Sequence, residues 1–313
     1  MKNTTTHGLH HITAICSDIH GNMHFYTKVL GLRFVKQSVN QDDPGTYHLY
    51  YGDYTGSPGT ALTFFPWTGL RRGRPGSGQS YATGFSVPAG SLPFWQERFA
   101  RLKIETLPLE QRFADEVLPF FDHDGLRLEL IATDESDPRQ PAPAADVPAD
   151  KAIRGFHSTT LGLIEAQPTA TVLTASMGYR LLADSAHRSR YTVDQGGPGT
   201  YVDLLTDPTL PRGLSGAGTV HHVAFRARDD ANQTGARAVL LQSGLQVSPV
   251  IDRAYFKSIY YREPGGVLFE IATDQPGFAI DEPVETLGSK LSLPPHLEPH
   301  RAEIQAALPE LIC

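Results

Sequence analysis

The apolar positions of the chain fall into short runs of strand length, separated by turns rich in glycine and proline. Near the N-terminus the β-branched run Leu9–Ile15 predicts a strand, and the apolar spacing of Ile19–Leu30 predicts a helix that ends at Gly31. Three more strands are predicted at Leu32–Ser38, Thr46–Tyr51 and Thr60–Pro66, separated by an Asp-Pro-Gly turn and a Gly-Ser-Pro-Gly turn. The first quarter therefore predicts the order strand, helix and three strands.

This pattern is repeated along the chain. The double-histidine run LHHITA at 9–14 returns as VHHVAF at 220–225, and GLRLELIATD at 125–134 is matched by GVLFEIATD at 266–274. Pro44–Tyr47 resembles Pro198–Tyr201, and Arg112 and Arg253 share the offset that relates Glu129 to Glu270. Internal repeats of this kind indicate tandem copies of one supersecondary unit. We place four units at residues 8–66, 81–134, 153–206 and 219–274.

The composition between the units predicts the domain boundaries. A segment rich in proline, alanine and aspartate separates the second unit from the third. We therefore expect a first pair of units in residues 1–140, a linker at 141–152 and a second pair at 153–275. The proline-rich tail, residues 276–313, contains a short amphipathic helix at Pro299–Leu308, and we expect it to pack against the body or a second subunit.

Composition and charge narrow the functional class. The 313 residues are 40% hydrophobic and 19% charged, which is typical of a globular protein large enough for two domains. A net charge of −7 without a basic stripe argues against a nucleic-acid partner. Cys16 and Cys313 are too few for a disulfide framework, and no long apolar stretch is present. We therefore expect a cytoplasmic protein without a membrane partner.

A strand carboxylate and two histidine pairs suggest a metal site. Glu270 lies in the apolar run VLFEIA at 267–272, where an isolated buried charge would cost several kcal/mol. Alternatively, it points to solvent, because strand faces alternate. The same alternation allows one histidine of each pair to face a cavity, so the residues leave open whether His11 and His222 or His10 and His221 are ligands. Such a set suits ferrous iron, and zinc fits it as well.

The repeats supply an internal comparison. The second and third units keep Glu129 and Arg112, but the positions that match His11 and His222 hold Ser158 and, by inspection, Thr83. One half of the molecule can therefore bind a metal and the other cannot. Glu129 is then a relic of the duplication or a structural carboxylate, and the site is built from the first and fourth units.

Four tandem βαβββ units resemble the vicinal oxygen chelate superfamily over almost the whole chain. That resemblance implies an α+β fold in which paired units form two open β-barrel-like domains around a metal. More narrowly, the chain resembles ring-cleaving dioxygenases that act on hydroquinones. The motifs that carry this likeness are LHHIT at 9–13, YHLYYGD at 47–53, TFFPW at 63–67, VHHVA at 220–224 and the stretch 252–270.

The resemblance implies a metal held by His11, His222 and Glu270, the second histidine of each pair being the ligand. The implied metal is Fe(II), with Mn(II) or Zn(II) as alternatives. It also implies a small aromatic substrate and O₂ as reaction partners. A hydroquinone-type ring would be opened by insertion of O₂, and a homodimer is the default assembly.

Four further residues are predicted to assist catalysis. Tyr260 should lie near Glu270 across the hairpin at 263–266, and the second unit has Pro119 in its place. Arg253 could stabilise negative charge, and the persistence of Arg112 in the metal-free half leaves an architectural role as the alternative. His10 and His221 are predicted to orient the ligands or move protons.

A larger set of residues is predicted to line or support the site. Thr13 shares the face of His11. Aromatic residues that could enclose the substrate, each of which could equally belong to the core, are Phe25, Tyr47, Phe64, Phe65, Phe225, Phe256 and Tyr261.

The sequence leaves three other functions open. An extradiol catechol dioxygenase would use the same metal chemistry. A glyoxalase-like lyase or isomerase would use zinc or nickel without O₂, and often a fourth ligand, but the available carboxylate, Glu129, lies in the half without histidine ligands. A drug-binding protein of the superfamily would need no metal triad.

Overall fold

The protein consists of four βαβββ repeats in a computed structural model that describes residues 6–311. The first two repeats contain β1 (Leu9–Cys16), α1 (Ile19–His24), β2 (Arg33–Asn40), β3 (Asp43–Gly52), β4 (Ala61–Pro66), β5 (Gln79–Pro88), α2 (Leu92–Leu102), β6 (Glu110–Arg112), β7 (Asp115–Phe121) and β8 (Arg127–Thr133). The last two contain β9 (Gly155–Leu163), α3 (Gln167–Thr171), β10 (Arg180–Ser185), β11 (Arg188–Thr192), β12 (Tyr201–Thr206), β13 (Thr219–Ala227), α4 (Asp230–Gln242), β14 (Ile251–Asp252), β15 (Lys257–Arg262) and β16 (Leu268–Thr273). The predicted α+β class and the four units are confirmed.

Local details differ from the predicted elements. Helix α1 ends at His24 and continues as a π-helical turn, Phe25–Val29, in which Leu30 N donates to Phe25 O at 3.0 Å. The predicted Asp-Pro-Gly turn is wrong, because Asp43 already pairs with Asn40 and the turn is formed by residues 41–42. The C-terminal helix α5, Arg301–Ala307, is shorter than predicted because its first turn is a 3₁₀-helix.

The repeats combine into two curled eight-stranded sheets. The first sheet has the order β14-β15-β16-β13-β1-β4-β3-β2, so it joins the fourth repeat to the first. The second sheet, β10-β11-β12-β9-β5-β8-β7-β6, joins the third repeat to the second. Each sheet therefore takes one repeat from either side of residues 141–152. The predicted domains 1–140 and 153–275 each contribute strands to both sheets. This division of the chain therefore stays a prediction drawn from the sequence repeats.

Backbone hydrogen bonds tie the two sheets together symmetrically. Leu9 N donates to Gly199 O and Phe156 N donates to Gly59 O, both at 2.8 Å. Both glycines have a left-handed backbone, with φ of +87° at Gly199 and +89° at Gly59, a conformation that glycine adopts without strain. The structural match of Pro198–Thr200 is therefore the turn Pro58–Thr60, and the predicted match with Pro44–Tyr47 is wrong.

The C-terminal segment packs against β2 and β3. The side chain of Lys36 is fully buried, and its ammonium group binds the carboxylates of Asp281, at 2.6 Å, and Glu282. Ser292 N donates to Gln37 O at 2.9 Å. The predicted packing of the tail against the body is thus observed for residues up to 311; Cys313 lies outside the described residues. Among the described residues, none of the helices is both long and apolar enough to cross a membrane.

Candidate metal centre

Three side chains converge on the inner face of the first sheet. His11 on β1, His222 on β13 and Glu270 on β16 are buried and offer ligand atoms that all lie within 4.8 Å of one another. Glu270 Oε2 lies 2.9 Å from His222 Nε2 and 3.3 Å from His11 Nε2. The two Nε2 atoms are 3.4 Å apart. The structure therefore brings together the three predicted ligands, which come from adjacent strands of the first and fourth repeats.

Two β-bulges shape this arrangement. In the antiparallel pairing of β1 with β13, one extra residue is accommodated at His10 and another at His221. A bulge interrupts the alternation of a strand and re-aims its side chains. As a result, neighbouring imidazoles contact each other through Nδ1 atoms, at 2.9 Å for His10 and His11 and at 2.8 Å for His221 and His222. The simple alternation assumed from the sequence does not describe these positions.

The hydrogen bonds of His10 assign the tautomer of His11. His10 Nε2 lies 3.1 Å from the carbonyl oxygen of Thr273, which can only accept, so His10 Nε2 carries a proton. In a neutral His10 the Nδ1 atom is then an acceptor, and His11 Nδ1 donates to it. This leaves a lone pair on His11 Nε2, aimed at Glu270. A lone pair on His222 Nε2 requires the equivalent bond, from His222 Nδ1 to His221 Nδ1.

The carboxylate of Glu270 fits a bound cation. Ser258 Oγ donates to Oε1, which orients the group. Oε2 is buried and has no hydrogen-bond partner among the described residues, although two imidazole nitrogens lie close to it. With both imidazoles in the tautomers described above, three electron pairs converge without a hydrogen between them and repel one another, and a cation removes this repulsion. The donor set of two nitrogens and one oxygen suits Fe(II), Mn(II) or Zn(II).

A cavity of about 350 Å³ opens over this triad. Its volume is in the range of small-molecule sites. The walls are largely aromatic, and the residues that line the cavity are His11, Ser38, Val39, Asn40, Gln41, Asp42, His48, Tyr50, Phe65, Trp67, His221, His222, Arg253, Tyr255, Phe256, Tyr260, Leu268 and Glu270. A flat apolar ring with a few polar substituents matches this lining.

Tyr260 and Arg253 lie at one side of the cavity. Tyr260 is the cross-strand partner of Glu270, as predicted from the hairpin. Arg253 Nε donates to the Tyr260 hydroxyl at 3.1 Å, and its Nη2 lies 3.0 Å from Asp42 on the β2–β3 turn. The phenol therefore keeps its proton available to the cavity, and Arg253 places positive charge beside it. Burial and the nearby charge of Glu270 raise the pKa of Tyr260, so it stays protonated near neutral pH.

Three histidines of the centre, His10, His221 and His222, are neutral near pH 7. Burial and the neighbouring His11 lower the pKa of His10 to about 3, and burial together with His222 lowers the pKa of His221 to about 4. Burial also lowers the pKa of His222. Neutral imidazole is the form that can offer a lone pair to a metal or accept a proton. His221 reaches the cavity, whereas His10 lies behind His11 and is not part of the lining.

The predicted aromatic residues divide into two groups. Phe65 and Phe256 line the cavity, and the ring centroid of Phe256 lies 4.9 Å from that of His11. Those that belong to the hydrophobic core instead are Phe25, Tyr47, Phe64, Phe225 and Tyr261. Thr13 lies beneath the cavity, where its hydroxyl contacts Thr63 Oγ1 at 2.7 Å.

Sequence reasoning missed His48, Tyr50 and Trp67 as cavity residues. Thr63 Oγ1 lies 2.9 Å from His48 Nε2, and His48 Nδ1 lies 2.7 Å from the Tyr50 hydroxyl. The signal was present, because alternation along β3 places His48 and Tyr50 on one face and Tyr47 on the other. The sequence does not show that this face curls over the metal centre.

The second sheet contains the matching position, filled by ion pairs. Arg112 binds Glu129 through both of its terminal nitrogens, at 2.5 and 2.9 Å. Cross-strand register shows that Ala82, paired with Thr160, replaces His222, and that the predicted match with Thr83 is wrong by one position. In the first sheet Arg253 turns away to Tyr260, which leaves Glu270 free for a cation. The second sheet also holds Ser158 in place of His11.

Comparisons with known proteins agree with this geometry. The sequence profile of the glyoxalase/bleomycin resistance protein/dioxygenase superfamily matches residues 8–271. The chain is 45% identical to MhqO of Bacillus subtilis, whose name assigns it to the ring-cleaving dioxygenases, over 97% of this chain and 96% of that one. It is 34% identical to chlorohydroquinone/hydroquinone 1,2-dioxygenase of Sphingobium indicum, over 95% and 94%. A crystal structure of a B. subtilis protein described as belonging to the dioxygenases superposes with a TM-score of 0.94 at 44% identity, covering 98% of both chains.

Proposed function

Because the chain belongs to the glyoxalase/bleomycin resistance protein/dioxygenase superfamily, we propose that it is an Fe(II)-dependent dioxygenase that opens a hydroquinone-type ring. His11, His222 and Glu270 hold the metal, and a small aromatic substrate and O₂ are the reactants. The name of the Sphingobium indicum relative supports the substrate class. The names of the B. subtilis relatives support the reaction type.

The observation that carries this proposal is the unpaired oxygen of Glu270. A buried carboxylate oxygen without a hydrogen bond is costly, and this one faces two imidazole nitrogens at 2.9 and 3.3 Å. When bound, a ferrous ion supplies a spin-allowed route for the reaction of O₂ with the ring and orients the two reactants. Three protein ligands on one side leave room for those reactants.

The protein itself positions the ring. Phe65 and Phe256 contact opposite histidines of the centre, His221 and His11, with ring centroids 5.6 and 4.9 Å apart. Because both rings also line the cavity, they can hold a planar substrate by dispersion and quadrupole attraction. The apolar walls also exclude bulk water from the reacting edge of the ring.

Two side chains, Tyr260 and His221, exchange hydrogens with the ligand, and two others, His10 and Arg253, act on the geometry and the charge of the site. The Tyr260 hydroxyl accepts a hydrogen bond from Arg253 and keeps its own proton for an oxygen of the substrate or product. His221 is neutral and reaches the cavity. Because its Nδ1 accepts from His222 Nδ1, its Nε2 carries the hydrogen, which it can donate to an oxygen of the substrate. His10 acts from behind, by fixing the orientation of His11. Arg253 stabilises negative charge that develops beside Tyr260.

A reconstitution experiment tests the proposal. The purified protein is loaded with Fe(II) under anaerobic conditions, and oxygen uptake is recorded with hydroquinone and with catechol. We expect uptake with hydroquinone that disappears after chelation and in Glu270→Gln, but persists in Glu129→Gln, where the matching carboxylate of the other half is changed. Uptake with catechol alone would identify an extradiol enzyme. No uptake with either, together with tightly bound zinc, would overturn the dioxygenase assignment.

A further inference from the structure

The cavity contains a hydrogen-bond chain that leads away from the metal centre. Thr13 Oγ1 contacts Thr63 Oγ1 at 2.7 Å, Thr63 Oγ1 contacts His48 Nε2 at 2.9 Å, and His48 Nδ1 contacts the Tyr50 hydroxyl at 2.7 Å. All of these distances are normal for strong hydrogen bonds. The chain starts under the triad and ends at a phenol in the cavity wall.

The strand register fixes where this phenol lies relative to the metal. His222 pairs with Thr13, Thr13 pairs with Thr63, and Thr63 pairs with Tyr50, so these residues form one row across β13, β1, β4 and β3. Directly opposed residues share a face of the sheet. Adjacent strands are about 4.8 Å apart, so the Tyr50 backbone lies about 10 Å along the sheet from that of Thr13. Tyr50 is therefore at the far side of the cavity from β13 and β16.

The other hydroxyls on this side already have partners in the C-terminal segment. Ser38 donates to the carbonyl of Ser292 at 2.8 Å, and Tyr255 donates to Asp281 at 3.0 Å. Tyr50 bonds to His48 and keeps one bonding direction, since a phenol can donate one hydrogen bond and also accept. Burial raises the pKa of Tyr50 and lowers that of His48, so both are neutral near pH 7.

Because all groups of this hydrogen-bond chain are neutral, its hydrogen bonds can point in either direction. If His48 carries its proton on Nε2, Tyr50 donates to Nδ1 and its oxygen accepts from a ligand. If the proton is on Nδ1, Tyr50 accepts from His48 and donates its proton to the ligand. The threonine hydroxyls rotate to suit either case. The phenol is thus suited to a ligand hydroxyl, which both donates and accepts.

We propose that Tyr50, held by His48 and Thr63, binds the second hydroxyl of a para-dihydroxy ring and so makes the site selective for hydroquinones over monophenols. This inference rests on the proposed function for the orientation of the ring, with one oxygen toward the triad. A catechol presents both oxygens at the metal edge, whereas a hydroquinone presents the second one at the opposite edge, where Tyr50 lies. Tyr50 is a specificity residue, and His48 and Thr63 are positioning residues.

The test measures binding without turnover. The affinities of the Fe(II)-loaded protein for hydroquinone and phenol are measured by anaerobic calorimetry, and metal content is determined for each variant. Tyr50→Phe should weaken hydroquinone binding about tenfold, the usual effect of one lost hydrogen bond, and leave phenol binding unchanged. Thr63→Val should lower the ratio of hydroquinone affinity to phenol affinity less than Tyr50→Phe does. Thr63→Ser, which keeps the hydroxyl, should leave this ratio as it is in the unaltered protein. Tyr201→Phe is the matched control, because this phenol bonds to Glu135 in the half without the triad.

The outcomes separate this inference from the proposed function. A hydroquinone-to-phenol affinity ratio that falls in Tyr50→Phe and stays unchanged in Tyr201→Phe supports the inference. A ratio in Tyr50→Phe equal to that of the unaltered protein overturns it, even if oxygen uptake with hydroquinone is observed. Equal losses for both ligands also overturn it, because they indicate a general change of the cavity. Absence of oxygen uptake with unimpaired binding contradicts only the proposed function.

Discussion

Glu270 and Glu129 occupy matching positions of the two sheets, and we predict opposite consequences when each is replaced by glutamine. Glu129 is 1% exposed and forms two hydrogen bonds with Arg112, which is itself 6% exposed. Removing one partner of a buried ion pair costs about 3–5 kcal/mol when the other charge is left unpaired, and here Glu110, which accepts from Arg112 Nη2 at 2.9 Å, keeps the cost near the lower end of that range. Glu129→Gln should therefore lower the melting temperature by about 5 °C. Metal binding should be unaffected.

Glu270→Gln should leave the stability of the metal-free protein nearly unchanged and should weaken metal binding. The amide keeps the Oε1 acceptor for Ser258 and can donate a hydrogen to an imidazole Nε2, so the repulsion between converging electron pairs in the metal-free site is removed. We expect the unfolding free energy of the metal-free variant to change by less than about 1 kcal/mol. Loss of a supporting partner of a ligand weakens metal binding about 10–100-fold, and loss of the ligand itself should exceed this.

The assay compares both variants with the unaltered protein after chelation and again after reloading with Fe(II). Thermal unfolding is followed by circular dichroism, and metal content is measured by elemental analysis. If Glu270→Gln destabilises the metal-free protein as much as Glu129→Gln does, Glu270 is a structural carboxylate and not a metal ligand. The same conclusion follows if Glu270→Gln retains metal as tightly as the unaltered protein.

Three further predictions concern the surroundings of the two carboxylates. Tyr260→Phe should lower the rate of oxygen uptake about 100-fold at unchanged iron content, because a proton donor is lost; an unchanged rate would show that the phenol has no catalytic role. His10→Phe removes the acceptor for His11 Nδ1 and should weaken metal binding about 10–100-fold in chelator competition, and unaltered affinity would contradict the assigned tautomer. Burial opposes the charge of Glu129, but its hydrogen bonds to Arg112 hold the pKa of its carboxyl below the usual 4.5. The stability that this carboxylate provides is therefore complete above pH 4.5 and lost as the pH falls through its folded-state pKa, so the difference in urea midpoint between the unaltered protein and Glu129→Gln should narrow from pH 7 to acid pH.

The sequence alone was sufficient for the units of the fold and for the strands that meet at the candidate site, whereas the choice of His11 and His222 within their pairs came from the resemblance to a known superfamily. Two histidine pairs in matched strands and one carboxylate in an apolar strand are local features, and repetition at long range identified the strands that carry them. Because the same offset relates Glu270 to Glu129, the sequence also indicated that only one half retains histidines at the two candidate ligand positions. Residue identity and local periodicity determine all of this, and both can be read along the chain.

Only the tertiary structure decided the strand order of the two sheets and where individual side chains point. The asymmetry of the histidines had already indicated that the first repeat meets the fourth at the site, but the strand order that joins them, and that joins the second repeat to the third, depends on contacts far apart in sequence. The bulges at His10 and His221 depend on the register between β1 and β13, which an assumption of regular alternation cannot supply. His48 and Tyr50 reach the cavity because the sheet curls. Curvature arises from all eight strands together, so no segment of the sequence encodes it by itself.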